Sequence, residues 1–208
     1  MKNTLLFFSL FAILGSCAVN APYFSEEMER LSVSHQKIAI LPFKVSFNEE
    51  YKTNARIRGG RSGGSYWDEQ ERLAGLDMQK EFFVYLAKEV EKGRMEKVVQ
   101  DFITTNKGLA AAAVRIQDIP SMNKGQLGRI LDVDAVIWGE TYIEINPFFM
   151  GSSSAGGATT VAGIYDARQG NLLWQKKMTQ RPSNRMDTPK RLGGNTAQQL
   201  AKLLPYRK

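Results

Sequence analysis

The chain has 208 residues, 43% of them hydrophobic and 24% charged, with 28 Lys and Arg against 21 Asp and Glu and a formal net charge of +7. That length suits one domain with a core of its own. A single cysteine excludes an internal disulfide, and a single histidine beside it excludes a zinc centre built from those two residue types alone.

Residues 1–17 have three parts. Lys2 gives a positive head, Leu5 to Leu14 is an apolar run broken only by Ser9, and Gly15 and Ser16 precede Cys17. This is the pattern of a secretory signal peptide. The run falls short of the ~20 apolar residues of a transmembrane helix. "LGSC" at 14–17 resembles the lipobox of bacterial lipoproteins. The resemblance implies cleavage before Cys17 and acylation of its sulfur and new amino group, which explains why the only cysteine sits here. Ala18 is not the aspartate that retains such proteins at the inner membrane of enteric bacteria, so the expected place is the outer membrane, facing the periplasm. The reading assigns 1–16 to the signal peptide, 17–36 to lipid anchor and tether, and 37–208 to one α/β domain. Without residues 1–16 the charge is near +6, from 27 basic and 21 acidic side chains. An exported chain without a nucleic-acid motif gives no reason to expect nucleic acid as a partner.

Within the tether, a short amphipathic helix is expected around 26–33. "KIAILPFKV" (37–45) is an apolar, β-branched run stopped at Pro42 and reads as a buried strand. Residues 46–66, with four glycines and several charges, read as a surface loop. A helix follows over about 67–92, with Leu73, Leu76, Phe83, Leu86, Ala87 and Val90 as its apolar face and Gly93 to end it. "EKVVQ" (96–100) reads as a short strand and 104–114 as a short helix. Ser121 caps a helix through Leu131. "DVDAVIWGETYIEI" then forms a long strand, apolar on both faces in its first half and alternating in its second, where one face reaches water. "NPFFMGSSSAGGA" (146–158) is a Gly/Ser-rich loop. "TTVAGIYDA" and "NLLWQKKMTQ" pair as a hairpin around Gly170. "NTAQQLAKLL" (195–204) is a closing helix capped by Asn195. The order predicts an α/β (α+β) fold, a mixed sheet of about five strands with helices packed on it.

Three stretches carry a family resemblance: "ILPF", "LDVDAVIWG" and "DARQGNLLW". They resemble a group of bacterial envelope lipoproteins that includes the curli secretion lipoprotein, Neisseria-type lipoproteins and the lipoproteins that activate penicillin-binding proteins. The group shares a small α/β domain similar to the N-terminal domain of the Tol–Pal translocation protein. The resemblance covers about 37–204 in order of elements and implies envelope assembly, secretion or control of wall synthesis. In scaffold terms, Asp134 braces the helix–strand junction, Gly139 permits a close approach, and Trp138 and Trp174 are expected to pack together on adjacent strands. Residues 46–66 are charged and 146–158 are too few to supply membrane-spanning hairpins.

Few residues of the chain point to chemistry. His35 lies in the tether stretch and reads as a surface residue. Asp132 with Asp134, and Glu140 with Glu144, are carboxylate pairs at strand spacing that need no catalytic role. No cofactor or metal site is expected. "RIRGGRSGG" lacks the Walker pattern, and its Arg56, Arg58 and Arg61 read as a basic contact loop. Phe148, Phe149 and Met150 suit a partner contact. The expected function is that of a non-enzymatic, lipid-anchored adaptor or assembly component of the bacterial envelope, acting by protein–protein contact. Its partners are the membrane, through the N-terminal lipid, and an envelope protein or a second copy. The alternative is an oligomeric subunit of an outer-membrane secretion complex related to curli export.

Overall fold

The computed structural model describes residues 21–53, 64–144, 156–182 and 188–206. The strands are β1 (Tyr23–Phe24), β2 (Lys37–Ile40), β3 (Lys44–Phe47), β4 (Val98–Val99), β5 (Ala135–Glu144), β6 (Gly157–Asp166) and β7 (Leu172–Gln180). The helices are α1 (Met28–Ser34), α2 (Gly64–Glu91), α3 (Phe102–Ala111), α4 (Lys124–Ile130) and α5 (Pro189–Lys202), and residues 49–53 are also helical. The fold is an α/β domain with a seven-stranded mixed sheet in the order β1-β7-β6-β5-β2-β4, and β3 also pairs with β5. The antiparallel run β5–β6–β7 comes from three long strands, the last two joined by a tight turn where Gly170 takes φ 81°. β2, β3 and β4 are parallel to their partners.

Alternation along the strands divides the core in two. Ile38, Ile40, Ala135, Ile137 and Ile143 face one side, where Met78, Phe82 and Leu86 of α2 and Leu192, Ala197 and Leu200 of α5 cover them. Ala39, Leu41, Val136 and Trp138 face the other side, against Leu109 of α3 and Leu127 of α4. Trp138 and Trp174 therefore belong to opposite faces, and β6 separates their strands. They do not pack together, because an intervening strand reverses the order the sequence suggests.

Pro42 breaks the first strand instead of ending it. β2 and β3 lie end to end along the same side of β5. Ile38 pairs with Ala135 and Lys44 with Glu140, so the offset drops from 97 to 96 and one extra residue is taken up at the break. Helix α2 satisfies the exposed backbone there. Gln79 Nε2 donates to Ile40 O at 2.7 Å, Phe43 N–H donates to Gly75 O at 3.3 Å, and Gln79 and Asn106 exchange amide hydrogen bonds at 3.0 Å. A Cβ on Gly75 would lie 2.0 Å from Phe43 O, so only glycine lets the helix approach this closely.

This contact moves the buried face of α2. The buried positions are Trp67, Gly75, Met78, Gln79, Phe82, Leu86 and Glu89, while Leu73 is 40% exposed. A glycine and two partnered polar residues hide that face from an apolar count. Two cap assignments also shift. Asn123, not Ser121, accepts from Gln126 N–H at the start of α4. Thr188 caps α5 and Pro189 opens it, so Asn195 sits inside the helix. The N-terminal arm is part of the body: β1 pairs with β7, Met28 and Leu31 are buried, and α1 confirms the short helix expected there. The body thus takes in residues 23–36, which the sequence assigns to the tether.

Candidate interaction face

Cys17, Arg56, Arg58, Arg61, Phe148, Phe149 and Met150 all lie outside the described residues. The remaining sequence candidates can be placed. Glu140 and Glu144 are exposed on β5, and Glu140 Oε1 lies 3.6 Å from Lys44 Nζ. Asp134 is a brace, as expected: its Oδ2 accepts from Gln36 N–H at 2.8 Å and Lys37 N–H at 2.9 Å. Burial raises the Asp134 value, but these two backbone donors outweigh it and hold the carboxyl below the usual range. Asp132 takes φ 52°, the left-handed turn that ends α4, so these two aspartates do not share a strand face. Gly139 allows the close approach: a Cβ there would lie 2.5 Å from Val161 O.

His35 overturns its reading as a surface residue. It is 2% exposed. Its Nδ1 lies 2.7 Å from the Tyr206 hydroxyl and its Nε2 3.3 Å from Asp166 Oδ1. Burial pulls the imidazole below its usual value against the upward pull of Asp166, so at neutral pH the ring is uncharged. The consistent arrangement has Nε2–H donating to Asp166 and the Tyr206 hydroxyl donating to Nδ1. Burial pushes the Tyr206 hydroxyl far above its usual range, which fixes it as that donor. Asp166 Oδ2 also accepts from Arg168 N–H at 2.9 Å and Gln169 N–H at 2.7 Å, so the carboxylate shapes the β6–β7 turn. Hydroxyl, imidazole and carboxylate stand in the order of a catalytic triad, but His35 and the Tyr206 ring are both buried, at 2% and 6% exposed. The cluster ties three distant segments together. Sequence spacing could not reveal it, since its members are 131 and 171 residues apart.

Lys124 is a second buried polar centre. Its Nζ donates to the carbonyls of Ile119, Pro120 and Met122 at 2.7, 3.1 and 2.9 Å and sits 4.0 Å above the Trp138 ring. Among the described residues no group of three or more His, Cys, Asp or Glu is placed to hold a metal ion. No helix among them is long and apolar enough to cross a membrane.

The open feature is a sheet face. Along β5, Thr141 and Ile143 are buried at 3% and 0%, while Glu140, Tyr142 and Glu144 are exposed. Tyr142 lies opposite Ser46 of β3 and Thr159 of β6, and Thr159 lies opposite Thr179 of β7, with their hydroxyls 3.1 Å apart. Val161 and Lys177 form the next row beside Glu140. Helices α3 and α4 cover only the half of this face around Val136 and Trp138. At the β3 side the face runs into a cleft of about 440 Å³, walled by Lys44 and Ser46, by Asp68 and Arg72 of α2, and by Ile116 and Pro120. The second half of β5 thus confirms the alternation read from the sequence. The cleft was not legible, because its three walls come from separate parts of the chain.

No family model matches the chain, and no curated protein matches it. Solved structures do show likeness. The chain is similar to the lipoprotein GNA1162 from Neisseria meningitidis, with 14% identity over 81% of this chain and 97% of that one at a TM-score of 0.41. It is similar to the LpoB C-terminal domain from Salmonella enterica, with 9% identity over 74% and 96% at 0.38. It is also similar to the PelC dodecamer subunit from Paraburkholderia phytofirmans, with 10% identity over 84% and 90% at 0.43.

Proposed function

We propose that this chain is a non-enzymatic, lipid-anchored adaptor of the bacterial cell envelope that works by protein–protein contact through the open half of its sheet. Cys17 fixes it to a membrane, most simply the outer membrane from its periplasmic side, and the Tyr142 face with its adjoining cleft receives the partner. The observation that carries this reading is the exposed aromatic at the centre of a four-stranded, mixed-polarity face. Tyr142 is 50% exposed on a strand whose alternate residues are core. A half-buried tyrosine on a rigid strand offers large contact area at little entropic cost. The burial of His35, Asp166 and Tyr206 supports a structural role for the triad-like cluster.

The test is photocrosslinking in cells. A benzophenone amino acid replacing Tyr142 is expected to give a discrete heavier adduct, and one replacing Leu203, behind α5 on the other side of the sheet, is expected to give none. Absence of an adduct at 142, or equal adducts at both sites, would count against the face. Native mass of the adduct separates a single envelope partner from the closed ring expected of a secretion subunit.

A further inference from the structure

The sheet ends at β1, where Tyr23 and Phe24 are each 51% exposed. β1 pairs with only two residues of β7, Gln175 and Trp174. The outer edge of β7 beyond them has no strand partner among the described residues, and Lys177 and Arg181 there are exposed. The distance along the chain matters most. Cys17 and Tyr23 are six residues apart, so even fully extended they are separated by no more than about 20 Å. A domain of this size is about 40 Å across. The acylated residue therefore cannot reach past the body, and the end of the sheet that carries β1 must lie near the bilayer.

We propose that the β1 edge is a membrane-docking surface, with Tyr23 and Phe24 seated in the bilayer interface. This rests on the acylation of Cys17. The amphipathic Tyr23 ring favours the headgroup region, Phe24 adds exposed apolar area beside it, and Lys177 and Arg181 are placed to meet lipid phosphates. Glu26 and Glu29 are exposed on the following turn and helix, which keeps the patch near neutral. The aromatic pair is thus the main contact, and docking depends only weakly on the content of anionic lipid. The sheet then runs away from the membrane. β4 closes its other edge five strand spacings away, about 24 Å further out, and the Tyr142 face stands upright between the two edges, open to the periplasm. Acyl chains and edge together fix the orientation in which a partner meets the adaptor.

The experiment uses the full chain isolated from membranes and reconstituted in vesicles of phosphatidylethanolamine and phosphatidylglycerol. The acylation state of each sample is read by intact mass. Lys177→Cys or Val98→Cys carries an environment-sensitive fluorophore, and lipids with a quenching group near the headgroup are added. Quenching severalfold stronger at 177 than at 98 is expected. It should fall towards the level at 98 when Tyr23→Ser and Phe24→Ser are combined, with acylation unchanged. Equal quenching at the two sites in acylated protein overturns the docking edge and leaves the lipid anchor standing. A probe at 177 shielded from aqueous iodide but not reached by the lipid quencher shows a protein against β1 and overturns it as well. A sample whose mass shows no acyl chain removes both readings.

Discussion

His35 carries a pH dependence that can be worked out from its surroundings. Burial lowers its proton affinity on folding, so the unfolded chain binds more protons in the acid range. Stability is therefore full above the unfolded value near 6.5 and is lost as pH falls through it towards the lower folded value. Urea unfolding at a series of pH values is expected to show this decline. His35→Gln should flatten it while costing about 1–3 kcal/mol at neutral pH, because one of the two buried partners loses its hydrogen bond. An unchanged slope in the variant would show that another group sets the acid sensitivity. Nothing in the residue pattern around His35 marks it as buried. Its position behind a signal peptide suggests a tether, and its partners are contributed by the β6–β7 turn and the C-terminal Tyr206. Asp134, by contrast, was legible, since a carboxylate just before a core strand has backbone donors within reach.

Helix α2 and the interrupted strand form the most demanding contact in the fold. The helix replaces the hydrogen-bonding partner that the strand loses at Pro42, through Gly75 O and the Gln79 amide. Gly75→Ala is expected to destabilise the protein by about 3 kcal/mol, since the added methyl meets a backbone carbonyl that cannot move without breaking the register of β3. Gly64→Ala, where a Cβ meets nothing within 4 Å, is expected to be neutral or slightly stabilising. Equal midpoints for the two variants in denaturant would show that the strand break yields easily. Elements with a clear period were readable: β5, β6, β7 and the length of α2 follow from alternation, turn residues and Gly93, which takes φ 67°. The buried face of α2 was not readable, because Gly75, Gln79 and Glu89 look like solvent residues until their partners are known. The cap of α5 is hidden for a similar reason: Thr188–Pro189 is a stronger helix start than Asn195, but it lies about two turns upstream of it.

At the scale of the molecule, the excess of positive charge falls in sequence outside the described residues. Seven of the 28 basic residues and one of the 21 acidic residues fall outside the described ranges, which leaves 21 against 20 within them. Arg56, Arg58, Arg61, Arg207 and Lys208 account for most of the excess, while the sheet face around Tyr142 is near neutral. A neutral aromatic face suits recognition by shape and hydrogen bonding more than by charge, so partner binding at Tyr142 is expected to survive a rise in salt. The layered α/β fold was legible from element order, including the half-open face of β5. The extent of the sheet was not, since β1 is too short to show a period and β3 is the hidden second half of a strand that Pro42 divides. In the proposed function the body is held at a bilayer by acyl chains on one sulfur. Metabolic labelling with a palmitate analogue, followed by fractionation, tests this directly. The wild-type chain is expected to carry the label and sediment with membranes, and Cys17→Ser to lose both properties. A wild-type chain that stays unlabelled and partitions like the serine variant would contradict the account.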